Sequence, residues 1–353
     1  MSTTSATTGR LHLLDGMRGL AAFAVIVDHV PSETLEAILP GRYLAVDFFF
    51  VLSGLVLARA YGDSLAEPGG ISRFLKLRLI RLYPLYLLGF AVGCALTLLF
   101  TMRGWNDFEL AMFPVSVAAG LIFLPTPATL GTPADVLFPF DPPAWTLLFE
   151  LIANFAWAFT AFLFRGRMRY AILITFAVWA ALAVYYAPAL GAGWAWSHIN
   201  AGLARVFFSF FAGVALYQAL NKVRLPRIPS LVPVVLLAFI LMCPAGKLPR
   251  SAFDVAAMLM IIPATVFIAA HSEVPKHVAR VCDWLGSVSY GVYVLHFPLF
   301  LAISLFADRL GLPPSLQVFA VAAASAIAAH ISGLVYERPI QRRLRTMVSA
   351  RKD

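Results

Sequence analysis

Residues 11–30 read LHLLDGMRGLAAFAVIVDHV, and this stretch decides the fold class. Its length matches the roughly 20 mostly apolar residues that a helix needs to cross a bilayer. It nevertheless holds Asp15, Arg18, Asp28 and His29. An ionisable group inside a membrane is costly unless it is paired or lines a water-filled cavity. The stretch therefore predicts a membrane-spanning helix with a polar, functional face.

The composition of the whole chain agrees with this prediction. Of its 353 residues, 61% are hydrophobic and 13% are charged, whereas a soluble domain is about half apolar and about a quarter charged. A compact soluble fold could not hide this much apolar surface, and a disordered chain would contain less of it. We predict an all-α polytopic membrane protein with a single domain, residues 1–340, and a basic cytoplasmic tail, residues 341–353.

Eleven apolar segments are candidates for crossing the bilayer. One of them is short and contains Pro114. The segments are 11–30, 43–60, 82–101, 110–125, 145–164, 170–187, 202–219, 230–244, 252–270, 284–306 and 314–336.

Lys and Arg residues decide the orientation, because cytoplasmic loops are enriched in them. Basic clusters fall at 73–81, 165–169, 222–227, 276–280 and 338–352, and the connections between them hold few basic residues. This alternation is regular only if segment 110–125 does not cross. We therefore predict about ten transmembrane helices with both termini cytoplasmic, and a re-entrant or interfacial element near 110–125. If that segment crossed, all later loops would invert.

Arg18 and His29 share one face of the first predicted helix. Eleven residues separate them, which is three turns plus roughly 20° and about 16 Å along the axis. Asp15, one turn before Arg18, can pair with it. The helix would thus present a guanidinium near the cytoplasmic end and an imidazole near the outer end of one wet passage. Alternatively, Arg18 anchors the helix at lipid headgroups and His29 caps its outer end.

A second basic group lies in the run RFLKLRLIRLYP at residues 73–84, which includes Arg78 and Arg81. Arginine forms bidentate contacts with phosphate oxygens, so this run can grip a phosphorylated ligand at the cytoplasmic face. The alternative is a lipid-headgroup anchor.

Glu150 follows the Pro-Pro pair at 142–143, which favours a helix start at the outer interface. On that basis Glu150 lies about one turn inside the membrane, and Arg205 lies at a similar depth. Both are expected to converge with His29 on the outer half. Mutually perturbing ionisable groups of this kind are typical of active sites.

His296 falls near mid-membrane, two residues before Pro298. It either donates to a backbone carbonyl that Pro298 leaves open or contributes to the functional site. The chain contains no sequence pattern typical of a metal site, a nucleotide-binding loop or a nucleic-acid module. We therefore predict no metal cofactor and no nucleic-acid partner.

Seven blocks of sequence, taken in order, resemble the acyltransferase-3 family of membrane-bound bacterial carbohydrate O-acyltransferases. The blocks are 14–22 with His29, 48–54, 78–84, 145–150, 205–213, 289–298 and 337–339. The tryptophan block departs from the family pattern at Leu148 and Leu151, where the family usually has a serine and a second glutamate. Any role of those two side chains is therefore absent. The resemblance implies a stand-alone member without a fused hydrolase-like domain.

The resemblance also implies an activity and a location. The expected enzyme is a multi-pass protein of the bacterial cytoplasmic (inner) membrane. It would transfer an acyl group, with acetyl expected, from cytoplasmic acyl-CoA as co-substrate to a hydroxyl of a glycan or glycolipid at the outer face. His29 would act as the general base, and Glu150 or Asp28 would orient its ring.

The remaining expected roles fall into three sets. Acyl-CoA would be bound by Arg18, Arg78, Arg81 and Tyr83. The substrate would be bound by Arg205, Trp145, Asp47, Ser53 and His296, with Arg205 holding the acceptor or the oxyanion. Structural roles are expected for Asp15 and Glu337.

Two other functions fit a multi-pass chain with intramembrane charge. The main alternative is a transporter of a small polar or acylated solute. Many transporters consist of two similar halves, and this sequence has no evident internal repeat. A non-enzymatic scaffold would leave the charges of the first span unexplained. Within the enzyme hypothesis, direct transfer and an acyl-histidine intermediate both stay open, as do the acceptor glycan and the length of the acyl chain.

Overall fold

The computed structural model describes residues 11–127, 135–220, 222–223, 225–226, 228–244, 246 and 248–350. These residues form helices and loops without a β-strand. The helices, numbered in chain order, are α1 (His12–Val27), α2 (Glu33–Ile38), α3 (Ala45–Tyr61), α4 (Gly70–Met102), α5 (Phe113–Leu121), α6 (Ala144–Thr160), α7 (Met168–Tyr185), α8 (Ile199–Leu220), α9 (Leu231–Met242), α10 (Arg250–Ala256), α11 (Ile262–Ala270), α12 (Lys276–Leu310), α13 (Pro314–Ser332) and α14 (Arg338–Ala350). The first ten residues of the predicted domain and residues 351–353 of the predicted tail lie outside the described residues.

The predicted all-α polytopic membrane fold is confirmed. A helix lies in each of the eleven predicted segments. Seven continuous helical stretches of the described chain are long and apolar enough to cross a membrane: Arg42–Tyr61, Gly70–Met102, Met168–Tyr185, Trp196–Leu220, Arg250–Ala270, Lys276–Ala307 and Pro314–Val348. Shorter apolar helices lie at Leu110–Leu121, Ala144–Thr160 and Leu231–Met242.

The helix in segment 110–125 is short. α5 has nine residues, so it is about 14 Å long, against a hydrocarbon core of about 30 Å. This length suits the predicted re-entrant or interfacial element. α9 is also shorter than its predicted segment, with 12 residues.

α1 and α12 form a parallel pair, and this pair places most of the candidate residues. Near the start of both helices, His12 Nδ1 lies 2.6 Å from a carboxylate oxygen of Asp283. Further along both, His29 Nδ1 lies 3.2 Å from His296 Nε2. Sequence positions increase in the same direction on the two helices, so one side of α1 faces α12 along its length.

Glycines allow α1 and α12 to approach closely. A Cβ atom added to Gly16 would lie 2.5 Å from Cys282 Sγ, and one added to Gly286 would lie 2.6 Å from Asp15 Cβ. Small residues at membrane helix contacts serve this purpose. The close approach holds Arg18 against the α12 backbone, where its Nη2 donates to the Gly286 carbonyl at 2.7 Å.

α3 and α8 pack in the same manner. A Cβ atom on Gly54 would lie 1.9 Å from the Phe210 carbonyl oxygen, and one on Gly213 would lie 2.0 Å from the Val51 carbonyl oxygen. Each glycine of one helix therefore touches the backbone of the other. This contact fixes α3, which carries Ser53, in the centre of the protein.

α13 and α14 are joined through a π-helical turn, Gly333–Glu337. The turn places Glu337 against Arg81 of α4, and the two form an ion pair. Gln341 of α14 donates to the Arg81 carbonyl oxygen at 3.1 Å. The predicted boundary after residue 340 falls inside α14, which packs on α4 in the part of the tail that is described.

One end of the protein is basic. The beginnings of α1, α4 and α12 meet there with α14, and we call it the basic end. Its exposed cations on α4 and α14 include Arg73, Lys76, Arg338 and Arg342. At the opposite end, Arg42 Nε lies 2.8 Å from Asp28 Oδ1. The positive-inside rule predicts that the basic end faces the cytoplasm.

Candidate functional site

A cavity of about 160 Å³ opens among α1, α3, α4, α6 and α12. Its wall combines charged, hydroxyl and aromatic side chains. The residues that line it are Arg18, Val46, Phe49, Phe50, Leu52, Ser53, Val56, Leu57, Arg78, Arg81, Leu82, Thr146, Leu147, Glu150, Ser289, Tyr290 and Tyr293. Five residues expected at the site thus share one cavity: Arg18, Ser53, Arg78, Arg81 and Glu150.

Arg18 is held by both of the helices it contacts. Its Nη2 lies 3.1 Å from Asp15 Oδ1 on α1. On α12, its Nε donates to Ser289 Oγ at 2.9 Å. The Ser289 hydroxyl in turn donates to the Gly286 carbonyl at 2.9 Å. The guanidinium is therefore fixed in orientation at the cavity wall.

Glu150 connects three helices at the same wall. Its Oε1 accepts from Arg78 Nη2 of α4 at 2.5 Å and from Ser53 Oγ of α3 at 2.6 Å. The side chains of Arg78 and Glu150 are 11% and 16% exposed, so the ion pair is largely desolvated. It provides a charge-assisted contact in the wall of the cavity.

Arg81 completes the charged part of the wall. It pairs with Glu337, and its guanidinium carbon lies 4.9 Å from the centre of the Tyr290 ring. The Tyr290 hydroxyl donates to the Leu82 carbonyl at 2.6 Å. Each of the three cavity arginines therefore has a carboxylate neighbour, so an incoming anion would compete with that carboxylate.

The cavity ends at aromatic side chains next to a pair of histidines. Tyr293 lines the cavity, and its hydroxyl lies 2.6 Å from Thr146 Oγ1. The Phe49 ring meets the Tyr293 ring edge-on, with their centres 5.6 Å apart. The centre of the Tyr293 ring also lies 5.8 Å from the centre of the His296 ring.

His296 and His29 contact each other directly. His296 is fully buried, and its Nε2 lies 3.2 Å from His29 Nδ1. His29 Nδ1 also lies 3.1 Å from the Val25 carbonyl oxygen. His29 is half-buried and follows the exposed Asp28, which pairs with Arg42 at the end opposite the basic end.

The expected passage shared by Arg18 and His29 is interrupted. Arg18 lines the cavity, but His29 is not among the lining residues of the described chain. The connection runs through Tyr293, which touches both the cavity and His296. Arg18 and His29 do share one face of α1, as predicted, because both side chains contact α12.

The expectation that Glu150 or Asp28 orients the His29 ring is wrong in this structure. Glu150 bonds to Arg78 and Ser53 instead. Asp28 pairs with Arg42. Within the described residues, the hydrogen-bonding neighbours of the His29 ring are the Val25 carbonyl and His296.

Arg205 does not converge with His29 and Glu150. It forms a buried bidentate pair with Asp47, with Nε–Oδ1 at 3.1 Å and Nη2–Oδ2 at 2.7 Å. Its guanidinium carbon lies 5.7 Å from the centre of the Trp145 ring. Arg205 and Asp47 line a second cavity of about 40 Å³ with Tyr43. The predicted convergence of three ionisable groups is thus wrong.

The misjudged depth of Glu150 is explained by the loop before α6. Its residues Leu137, Phe138 and Phe140 are buried, so α6 begins inside the protein rather than at its surface. Glu150 consequently lies deeper than the Pro-Pro pair suggests. It reaches Arg78 in the cavity wall.

Tyr83 was expected with the arginines but lies elsewhere. Its hydroxyl donates to the Leu121 carbonyl oxygen at the end of α5, and it does not line the 160 Å³ cavity. The carbonyl that accepts from His296 also differs from the expected one. His296 Nδ1 lies 2.6 Å from the Tyr293 oxygen, whereas Pro298 removes the helical partner of the Val294 oxygen.

Four polar residues of the cavity wall were not assigned a role from the sequence: Thr146, Ser289, Tyr290 and Tyr293. For two of them, Ser289 and Tyr293, the sequence contained a helical pattern. Ser289, Tyr293 and His296 follow an i, i+4, i+7 pattern, which places them on one face of α12. Because His296 was already a candidate, this pattern could have identified Tyr293 as its neighbour.

Comparisons with known proteins agree with this arrangement. A family model described as an acyltransferase domain matches residues 11–333. That range contains all residues lining the cavity and both histidines. The protein named "Protein 2 in picA locus" of Rhizobium radiobacter is 41% identical over 161 residues, an alignment covering 42% of this chain and 81% of that protein. No solved structure matches the chain.

Proposed function

The chain belongs to the acyltransferase-3 family, and on that premise we propose that it transfers an acyl group from acyl-CoA to a carbohydrate hydroxyl. The expected donor is cytoplasmic acetyl-CoA. The expected acceptor is a glycan or glycolipid at the outer face of the bacterial inner membrane. One observation supports this proposal above the others: a cavity lined by three arginines leads, through Tyr293, to a pair of histidines.

The size of the cavity suits part of a CoA molecule. Its volume of about 160 Å³ is below the roughly 300–1,000 Å³ of pockets that enclose a whole ligand. We propose that the thioester end of the pantetheine arm enters the cavity. The phosphates would stay at the basic end, near exposed cations such as Arg73 and Arg338. Arg18, Arg78 and Arg81 would line the path of the arm.

His29 is the proposed general base. Its Nε2 would take the proton of the acceptor hydroxyl while the hydroxyl oxygen attacks the thioester carbonyl carbon. The carbon–sulfur bond then breaks, and the proton passes from His29 to the departing sulfur, so the products are an ester and free CoA thiol. An acyl-histidine intermediate would use the same ring, with the nitrogen itself attacking first.

The acyl group has to pass Tyr293 to reach His29. The rings of Phe49 and Tyr293 lie at this end of the cavity, so the transfer requires them to move aside when the donor is bound. The acceptor would approach from the opposite end, where His29 is half-buried. The two substrates would thus meet at one imidazole from opposite sides.

The test uses the full chain in proteoliposomes with radiolabelled acetyl-CoA and candidate surface glycans. We expect label in covalent linkage to the glycan, and we expect His29→Ala and His29→Gln to lose at least about 100-fold in rate, the usual range for a general base. His271→Ala is the matched control. Near-normal transfer by either His29 variant would remove His29 from this role. Passage of unmodified solute without acylation would instead indicate a carrier.

A further inference from the structure

We propose that His296 is a positioning residue that holds His29 in one tautomer, with the proton on Nδ1 and a bare Nε2. This inference rests on the proposed role of His29 as the base. It assigns to a neutral imidazole the task that a carboxylate performs in a serine–histidine–aspartate triad. The inference follows from the acceptors that surround the two rings.

The first step concerns the proton on His296. Its Nδ1 lies 2.6 Å from the Tyr293 carbonyl oxygen and 3.2 Å from the Val292 carbonyl oxygen. Carbonyl oxygens only accept hydrogen bonds. The nitrogen must therefore carry a hydrogen, since a bare nitrogen would set its lone pair against those of the oxygens. In the neutral ring this leaves His296 Nε2 as an acceptor.

The second step concerns the proton on His29. Its Nδ1 lies 3.2 Å from His296 Nε2, which is an acceptor by the first step. The same Nδ1 lies 3.1 Å from the Val25 carbonyl oxygen, a second acceptor. Nδ1 has a single hydrogen to give, and either acceptor places that hydrogen on Nδ1, so the two contacts share one N–H. The Nε2 of the neutral His29 ring is consequently the atom with the free lone pair.

The third step concerns the charged state. When His29 takes a proton on Nε2 it becomes an imidazolium, and its Nδ1–H becomes a stronger donor. His296 Nε2 is in place to accept from it. No carboxylate is bonded to the His29 ring in the described part of the chain, because Asp28 pairs with Arg42 and Glu150 with Arg78. His296 therefore stabilises the imidazolium through this hydrogen bond, in addition to the electrostatic attraction of the neighbouring Asp28 carboxylate.

His296 itself is well fixed for this purpose. It is fully buried, and its Nδ1 contacts lie within its own helix. The Tyr293 ring lies against it. A ring bonded at Nδ1 to its own helix and packed against the Tyr293 ring can set the orientation of a neighbour, as the outer partners of metal-bound and catalytic histidines do.

The tautomer can be measured without any substrate. Nitrogen-15 NMR of histidine-labelled full chain in nanodiscs distinguishes protonated from bare ring nitrogens. In the wild type we expect His29 to show a protonated Nδ1 and a bare Nε2. In His296→Ala the Val25 carbonyl still favours the hydrogen on Nδ1, so we expect the wild-type tautomer to stay the major form and the other tautomer to appear as a detectable minor population. In His296→Gln, whose side-chain oxygen can accept from His29, the wild-type pattern should return.

Activity gives the second readout. We expect His296→Ala to lower kcat at least about tenfold while KM for acetyl-CoA changes by less than about twofold, since the loss concerns the base and not donor binding. His296→Gln should recover most of kcat. His271→Ala is the matched control, because His271 Nδ1 also lies 2.9 Å from an i−4 carbonyl oxygen, that of Phe267, but its ring contacts no histidine in the described part of the chain.

The outcomes separate this inference from the proposed function. An unchanged tautomer and kcat in His296→Ala would overturn it, as would a wild-type His29 with its proton on Nε2. Should His296→Ala fail to fold, a mixed tautomer or a low kcat in a folded His296→Gln would also overturn it. If no glycan is acylated but His296→Ala alters the His29 tautomer, the positioning role stands and only the proposed function fails.

Discussion

Arg78 and Ser53 donate to the same oxygen of Glu150, at 2.5 and 2.6 Å respectively. The three residues belong to α4, α3 and α6, so a single carboxylate oxygen joins three helices at the wall of the cavity. Because both charged side chains are largely buried, removing either partner leaves the other as a poorly compensated charge.

We therefore predict strong coupling between Arg78 and Glu150. Glu150→Ala and Arg78→Met should each lower the Tm in detergent more than the double variant does. The reason is that the double variant removes both buried charges, whereas each single variant leaves one buried charge without its partner. Thermal unfolding of the wild type, the two single variants and the double variant measures this coupling. A double variant whose loss equals the sum of the single losses would contradict the prediction.

The control for this cycle is the pair of Arg42 with Glu36. The nitrogen and oxygen are 3.4 Å apart, and the Glu36 side chain is 51% exposed. Exposed pairs contribute about 0–1 kcal/mol. Glu36→Gln should accordingly leave the Tm almost unchanged.

A second prediction concerns Asp47 and Arg205. Their side chains are 0% and 4% exposed and form two hydrogen bonds. Breaking a buried pair costs about 3–5 kcal/mol, so Asp47→Ala should lower the Tm sharply even without substrate. Replacing the pair together, as Asp47→Leu with Arg205→Met, should recover part of the loss. A wild-type Tm in Asp47→Ala would show that the pair does not hold α3 to α8.

A third prediction tests the close contact of α3 and α8. The Cβ atom of Gly54→Ala would meet the Phe210 carbonyl oxygen at 1.9 Å, and a backbone atom cannot move aside alone. We expect a loss of about 1–3 kcal/mol, as for other overpacked sites, seen as a lower Tm. Gly333→Ala is the matched control, since a Cβ atom there has no neighbour within 4 Å among the described residues outside its own turn of helix. Equal effects of the two substitutions would contradict the packing argument.

Much of the fold was predictable because membrane helices are encoded locally. Each apolar segment corresponds to a helix, since the bilayer requires continuous apolar residues with internally bonded backbone. The face of α1 was also predictable, because helical periodicity fixes where Arg18 and His29 point. The helix that this face contacts could not be predicted. His296 is 267 residues away from His29, and no local pattern pairs helices so distant in sequence.

The errors at the site have local causes. Tyr83 is two residues after Arg81, a rotation of about 200° on a helix, so it points to α5 rather than into the cavity. Sequence proximity suggested a shared role that helical geometry excludes. Glu150 was placed from an assumed helix start at the membrane surface. The buried residues before α6, such as Leu137 and Phe140, make that start internal.

A last prediction concerns pH and Asp141, which lies in the loop between α5 and α6. Burial raises the pKa of its carboxyl well above the usual 3.8, and neither oxygen has a hydrogen-bond partner in the described structure. At pH values between 3.8 and the raised pKa, the folded protein binds more protons than the unfolded chain, so stability falls as pH rises. Asp141→Asn removes this dependence, so its free energy of unfolding relative to the wild type should increase as the pH rises from 5 towards the raised pKa, by at most about 1.4 kcal/mol per pH unit, and its Tm should rise above that of the wild type accordingly. Asp107→Asn, at an exposed position, serves as the control, and a constant Tm difference between Asp141→Asn and the wild type across this range would show that burial does not raise the pKa of the Asp141 carboxyl.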